Sequence, residues 1–354
     1  MKKQVTSNYM SVLVILFITV LLVFPVTLAS EVTAQAQTKV FIDNVLPVDF
    51  SQYNVTLKNH SQYGTSDMIR YTLESDESNL RLFFEFENNV LRYCNINTEK
   101  GQVISDKQHD NMIDAVKSFL EKYQTYTKID STNLIDMLDK IDLTQNSTIT
   151  NGNTELTVCT YNNLGTELTL FKWAYIVNGA EYNSLQVGFQ TKTMVFDVLL
   201  DTRALYSVGD TTVNVSSEQA IDLAVKHSAE YSYAMPDGSQ VSGFNITKEK
   251  TTTELLTTAL NTTELRPYWM VRMYLNQTYP GSVIGLTVFI WANNGEVFDC
   301  SNIAVGGAYD SSITQTSTPS PASSTNDAIP IIITATATII AITALIVVIK
   351  KRRK

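Results

Sequence analysis

The sequence predicts an α+β fold: two units, each a helix packed across an antiparallel sheet, in an exported domain with a C-terminal transmembrane helix. Three observations predict it. Rows of alternating apolar residues recur between turn signals, capped helical segments stand ahead of them, and charge is separated along the chain. The 354 residues carry 26 Lys+Arg and 35 Asp+Glu, a net −9. Seven of those bases are Lys2, Lys3, Lys350, Lys351, Arg352, Arg353 and Lys354, and no acid precedes Glu31 or follows Asp327. Residues 31–349 therefore hold 19 bases against 35 acids, a net −16. A domain that acidic disfavours nucleic acid as a partner, since such binding needs a basic face to replace phosphate counterions, and none is expected.

The ends set the topology. Lys2 and Lys3 precede an apolar stretch at 12–26 and then small residues, the layout of a signal peptide over 1–29. Cleavage after Ala29 places Thr27 and Ala29 at the small-residue positions, with Ala34-Gln35-Ala36 as a second candidate and an uncleaved N-terminal signal anchor as the alternative. Residues 329–349 contain no charge and, as a helix, span about 31 Å, the thickness of a bilayer's hydrocarbon core. The basic tail 350–354 follows directly and stays in the cytoplasm by the positive-inside rule. The stretch 308–328 is rich in Ser, Thr and Pro and almost free of apolar residues, which marks an extended stalk. The expected partner at this end is the lipid bilayer, through 329–349. The expected location is the cell membrane, single-pass, with the ectodomain outside.

Between the ends, Leu80, Leu82, Phe84 and Phe86 share one strand face, as do Phe171, Trp173, Tyr175 and Val177. Trp269, Val271, Met273 and Leu275 form another such row, and Ile284, Leu286, Val288 and Ile290 a fourth. Asn178-Gly179, Pro280-Gly281 and Asn293-Asn294-Gly295 supply turns. Met112, Val116, Phe119, Leu120 and Tyr123 keep helical spacing behind a capping box at Ser105-Asp106-Lys107-Gln108. Leu134, Leu138 and Ile141 suggest a short second helix. A third runs from Glu218 to about Ser232, capped by Ser216 and Gln219 and stopped by Pro236-Asp237-Gly238. A capped helix followed by four strands thus occurs twice, in a first unit at 38–208 and a second at 209–307, with 40–97 supplying further strands ahead of the first helix.

Three segments of the second unit resemble the PepSY domain family: Glu218-Gln219-Ala220-Ile221-Asp222-Leu223-Ala224, Pro267-Tyr268-Trp269-Met270-Val271 and Asn293-Asn294-Gly295-Glu296-Val297. They match that family's helix start, aromatic strand and final hairpin turn over about 90 residues. Glu99-Lys100-Gly101-Gln102-Val103 looks like the tail of another such hairpin. The match departs at 251–263, which reads as an insertion, and the first unit lacks the Glu-Ala-Ile start. The family occurs in protease propeptides and cell-envelope proteins, so the resemblance implies a small extracytoplasmic binding or modulating module. It supplies no catalytic residue.

The chemistry-bearing residues are sparse. His60, His109 and His227 are far apart in sequence and none stands in a zinc-binding frame. There is no Gly-x-Ser-x-Gly elbow, phosphate loop or His-Glu-x-x-His motif. Asp136, Asp139 and Asp142, near Asp130, have the carboxylates that calcium takes, but helical placement without a Gly-bearing loop makes them a solvated face. Glu85 and Glu87 fall on the outer face of their strand. No catalytic, cofactor-binding or metal residue is therefore assigned, and no cofactor is expected. Asn54, Asn59, Asn146, Asn214, Asn245, Asn261 and Asn276 stand in Asn-x-Ser/Thr and are N-glycosylation acceptors in an exported chain. Cys94, Cys159 and Cys300, an odd number, allow one disulfide of unknown pairing or buried free thiols.

These features together predict a membrane-anchored cell-surface protein, not an enzyme, whose ectodomain binds or modulates an extracytoplasmic protein or peptide. The alternatives are a modulator or inhibitor of a secreted peptidase, a structural surface-layer component, and a hydrolase whose site one sequence does not reveal.

Overall fold

The computed structural model describes residues 25–163, 165–260 and 263–305. Residues 1–24 of the signal segment, Asn261, the stalk, the 329–349 span and the basic tail lie outside the described residues. Among the described residues no helix is long and apolar enough to cross a membrane.

The chain is mixed α+β, mostly antiparallel sheet with few helices. Helix α1 (Pro25–Asn44) and a single 3-10 turn (Phe50–Gln52) lead into β1 (Asn54–Tyr63), β2 (Ser66–Glu74), β3 (Asn79–Glu87) and β4 (Val90–Lys100). Helices α2 (Met112–Thr127) and α3 (Thr132–Leu138) precede β5 (Ser147–Asn151), β6 (Thr154–Asn163), β7 (Thr166–Val177), β8 (Ala180–Gln190) and β9 (Phe196–Asp201). After β10 (Ser207–Val208) come α4 (Ser217–Glu230), the short β11 (Tyr233–Ala234) and β12 (Gln240–Val241), then β13 (Ile246–Thr258), β14 (Glu264–Tyr279), β15 (Val283–Trp291) and β16 (Val297–Ala304).

The strands form a nine-stranded sheet ordered β1-β2-β3-β4-β9-β8-β7-β6-β5 and a second sheet ordered β10-β14-β15-β16, with β13 also paired to β14. The helix-then-meander layout therefore occurs three times, not twice. The first sheet is the product of two such meanders joined through their last strands, β4 and β9. The unforeseen unit begins with α1, in a region expected to supply strands. Ala34, Thr38, Phe41, Ile42 and Val45 are buried at helical spacing, and the Phe41 ring stands edge-on to Phe84 of β3 at 5.9 Å. The packed chain thus reaches upstream of residue 38. At the other boundary, Ser207 and Val208 pair with Glu264 and Leu265, so they belong to the second sheet.

One face of the nine-stranded sheet carries the main core. Leu80, Leu82, Phe84 and Phe86 are all fully buried, as their alternation requires. Against them α2 lays Val116, Phe119, Leu120 and Tyr123, each large side chain contributing about 1.5–3 kcal/mol by leaving water. Helix α2 starts later than expected: its cap is Asn111, whose Oδ1 accepts from the Asp114 N–H at 2.9 Å. The proposed box at 105–108 stays irregular because its approach is tied elsewhere. The Ile104 N–H donates to Tyr53 Oη and the Ile104 carbonyl accepts from the Asp49 N–H.

The second unit keeps its capping box, with Ser216 and Gln219 bonded reciprocally. Helix α4 ends at Glu230, ahead of Pro236-Asp237-Gly238, which instead turns the β11–β12 ribbon. Most of the expected insertion at 251–263 is strand β13, paired along β14. Two tryptophans hold matching places: Trp173 Nε1 on β7 donates to the Leu134 carbonyl at 3.2 Å, and Trp269 Nε1 on β14 to the Val215 carbonyl at 2.8 Å. Each ties the second strand of its four-strand meander to the helical segment ahead of it. The sheets meet where Ala180, Tyr182 and Leu265 are buried together and Thr257 Oγ1 donates to the Glu181 carbonyl.

Candidate functional site

Helices α1, α2 and α3 pack on one face of the first sheet, leaving the opposite face of β1–β4 open. Strand alternation decides what that face presents. Across neighbouring strands, Arg70, Phe83 and Asn95 form one row, and Thr72, Arg81 and Asn97 the next. Lys58 joins them from β1, at a bulge between Leu57 and Asn59. Together with Tyr93 these residues line a groove of 540 Å³.

Its chemistry is uneven in a way that the chain's composition is not. Among the residues lining the groove the charged ones are all bases, and no carboxylate is among them. The nearest acids stand beside it: Glu74 lies 3.9 Å from Lys58, Glu99 pairs with Arg81, and Glu85 is opposite Tyr93. Arg70 makes no ion pair among the described residues; its guanidinium lies over the Phe83 ring, 5.4 Å from the centroid. Phe83 in turn packs against Tyr93 at 5.9 Å. Burial pushes the Tyr93 phenol up to about 12, so it stays a neutral donor. At the end of this aromatic row sits Asp197, at a bulge of β9, and burial raises its carboxyl to about 6. Guanidinium, ammonium, amide and phenol donors over an aromatic floor can hold an anionic group beside an apolar one.

A second cleft, of 740 Å³, lies between the segment at 101–109 and the turn at 190–195. Gln102, Lys107, Gln108, His109, Gln190 and Thr193 make it polar, without an aromatic floor.

The residues singled out from sequence scatter. His60 Nε2 lies 2.9 Å from the buried Asp67 carboxylate on the core side of β1 and β2, His109 lines the polar cleft, and His227 sits on α4 beside Tyr231. Asp130 and Asp142 are spent on local turns with Thr132 and Thr144, Asp139 pairs with Lys117, and Asp136 is exposed. Among the described residues no three His, Cys, Asp or Glu side chains are placed to hold a metal ion. Glu85 pairs with Arg92 at 2.7 Å and Glu87 accepts from Thr65.

Asn54, Asn59, Asn146, Asn214, Asn245 and Asn276 are all exposed. Cys94, Cys159 and Cys300 are free thiols. No pair of them can bridge: Cys94 and Cys159 point to opposite faces of the first sheet, and Cys300 belongs to the core of the second.

The groove was not foreseen from sequence. Its one sequence signal is that Arg70 and Thr72 alternate with Ile69 and Leu73, as Arg81 and Phe83 do with Leu80 and Leu82. Their convergence needs the register set by the Ser75–Ser78 turn, where Ser75 and Ser78 bond each other's backbone.

The fold and groove define an α+β domain with an open, donor-rich sheet face. No protein-family profile matches the chain, and no curated protein matches it. Among solved structures it is similar to the C-terminal domain of YpeB from Bacillus megaterium, at 8% identity and a TM-score of 0.32, over 77% of this chain and 97% of that one.

Proposed function

We propose that the chain is a membrane-anchored cell-surface protein whose PepSY-like, non-catalytic ectodomain binds or modulates an extracytoplasmic protein or peptide through the groove on the open face of β1–β4. The observation that carries this reading is Arg70: a guanidinium stacked on Phe83, without a carboxylate partner among the described residues, in a groove of donors on an otherwise acidic chain. The basic ends and the apolar 329–349 span support an exported, tethered placement, and the exposure of six acceptor asparagines agrees with it.

The test is chemical cross-linking on intact native cells, comparing the wild-type chain with Arg70→Glu and Phe83→Ala. A defined partner captured by the wild type and lost from both variants supports the reading. Capture that ignores both substitutions, or no capture at all, overturns it.

A further inference from the structure

The first sheet exists because two helix-and-meander units pair their last strands. β4 and β9 run antiparallel through Tyr93↔Leu200, Cys94↔Leu199 and Asn95↔Val198. The third unit ends on the equivalent strand, β16, and there β15 is its one neighbour among the described residues. The equivalence extends to single positions. Cys94 lies opposite Phe84 of β3, Leu199 opposite Val187 of β8, and Cys300 opposite Val288 of β15. All three side chains face the helix side of their sheets.

The other long sheet edges are guarded. β1 carries the acceptors Asn54 and Asn59 and the bulge at Lys58; β5 follows Asn146; β13 follows Asn245 and contains Lys248 and Lys250. Charges, bulges and bulky attachments are what keep an edge strand from pairing with another chain. β16 reads Val-Phe-Asp-Cys-Ser-Asn-Ile-Ala, with no Lys, Arg, Pro or glycan acceptor. Its middle donor, the Cys300 N–H, goes to its own neighbour, Asp299 Oδ1, at 2.8 Å.

We infer that β16 pairs antiparallel with β16 of a second copy of this chain, around a two-fold axis at Cys300, joining two five-stranded sheets into one of ten. The isologous contact repeats between chains the join that β4 and β9 make within one. On pairing, the Cys300 N–H leaves Asp299 for the Cys300 carbonyl of the other copy, and Asp299 comes to lie opposite Ser301.

The experiment uses the full chain in native membranes. Asp299→Cys with Ser301→Cys places thiols opposite one another at about 4.5 Å between Cα atoms, within disulfide range. Thr148→Cys with Thr150→Cys does the same on β5 as a control, and both pairs are made on a Cys300→Ser background because the native Cys300 thiols of the two copies would face one another across the axis. Mild oxidation is expected to give a disulfide-linked dimer from the β16 pair and none from the β5 pair. In detergent, Asp299→Ala, which releases the edge donor, is expected to move the monomer–dimer midpoint about 2- to 10-fold toward lower concentration. Equal cross-linking at both edges, none at β16, or a wild-type chain that stays monomeric with an unshifted Asp299→Ala variant overturns the inference.

Discussion

Tyr123 of α2 donates its phenolic hydrogen bond to Asp201, the last residue of β9, at 2.9 Å. The same carboxylate is gripped by Arg203, through Nη2 at 2.8 Å and Nε at 3.0 Å. Asp201 is 3% exposed, so its charge is held by those two residues where the chain leaves the first sheet. Asp201→Ala strands the half-buried Arg203 guanidinium and is expected to cost about 3–5 kcal/mol. Tyr123→Phe removes a single charge-assisted hydrogen bond and is expected to cost about 1.5–3 kcal/mol. Urea unfolding of the two variants checks the order; equal losses would mean that Arg203 gains nothing from Asp201.

Asp197 gives stability a pH dependence of the less usual sign. Burial raises its carboxyl from 3.8 to about 6 in the folded chain. Between those values the folded state keeps a proton that the unfolded chain has released, so its contribution to stability falls as pH rises through the window. Asp197→Asn removes that loss. The variant is expected to melt higher than the wild type at pH 7, with the difference closing below about pH 4. A melting series from pH 3.5 to 7.5 decides it, and a constant offset would remove burial of the charge as the cause.

Much of this was legible in the sequence where local signals and tertiary packing agree. Ser216 and Gln219 cap α4 as their spacing says, and Trp173 and Trp269 mark equivalent strands. Leu80 to Phe86 alternate between core and open face as expected. What failed to show was non-local. Helix α1 was hidden because its buried Ala34 falls in the short gap between the signal-like run and residue 38, and Phe41 and Ile42 fall in a stretch that reads as strands. The groove was hidden because Arg70 and Asn95 meet only once β2, β3 and β4 are in register, and alternation within one strand does not name its neighbours. The motif at Gly101, read as the tail of a hairpin, does fall at the end of β4, whose hairpin with β3 turns at Asn88 and Asn89, both at positive φ.

At Gly101 the requirement for glycine is steric as well as conformational. Its φ is +72°, and a Cβ there would sit 2.0 Å from the Glu77 carbonyl oxygen. Gly152, in the β5–β6 turn, has φ +61° with nothing within 4 Å. Gly152→Ala is expected to cost about 1–2 kcal/mol, the left-handed penalty alone. Gly101→Ala adds a backbone clash and is expected to cost about 3 kcal/mol or more. Denaturant midpoints separate the two; similar losses would mean that the turn at Glu77 gives way freely.

Helix α1 also bears on where the leader is cut. Ala34 is fully buried and its carbonyl accepts from Thr38 Oγ1 at 2.9 Å. Cleavage after Ala36 would delete Ala34 and leave Thr38, itself buried, one residue from a new ammonium group. Cleavage after Ala29 keeps four residues ahead of Ala34 and preserves the turn that carries Thr38. The expected N-terminal residue of protein purified from native membranes is therefore Ser30, read by mass spectrometry of the N-terminal peptide. A start at Gln37 would show that Ala34 is dispensable to the packing of Phe41 against Phe84. A start at Met1 would establish the uncleaved signal anchor.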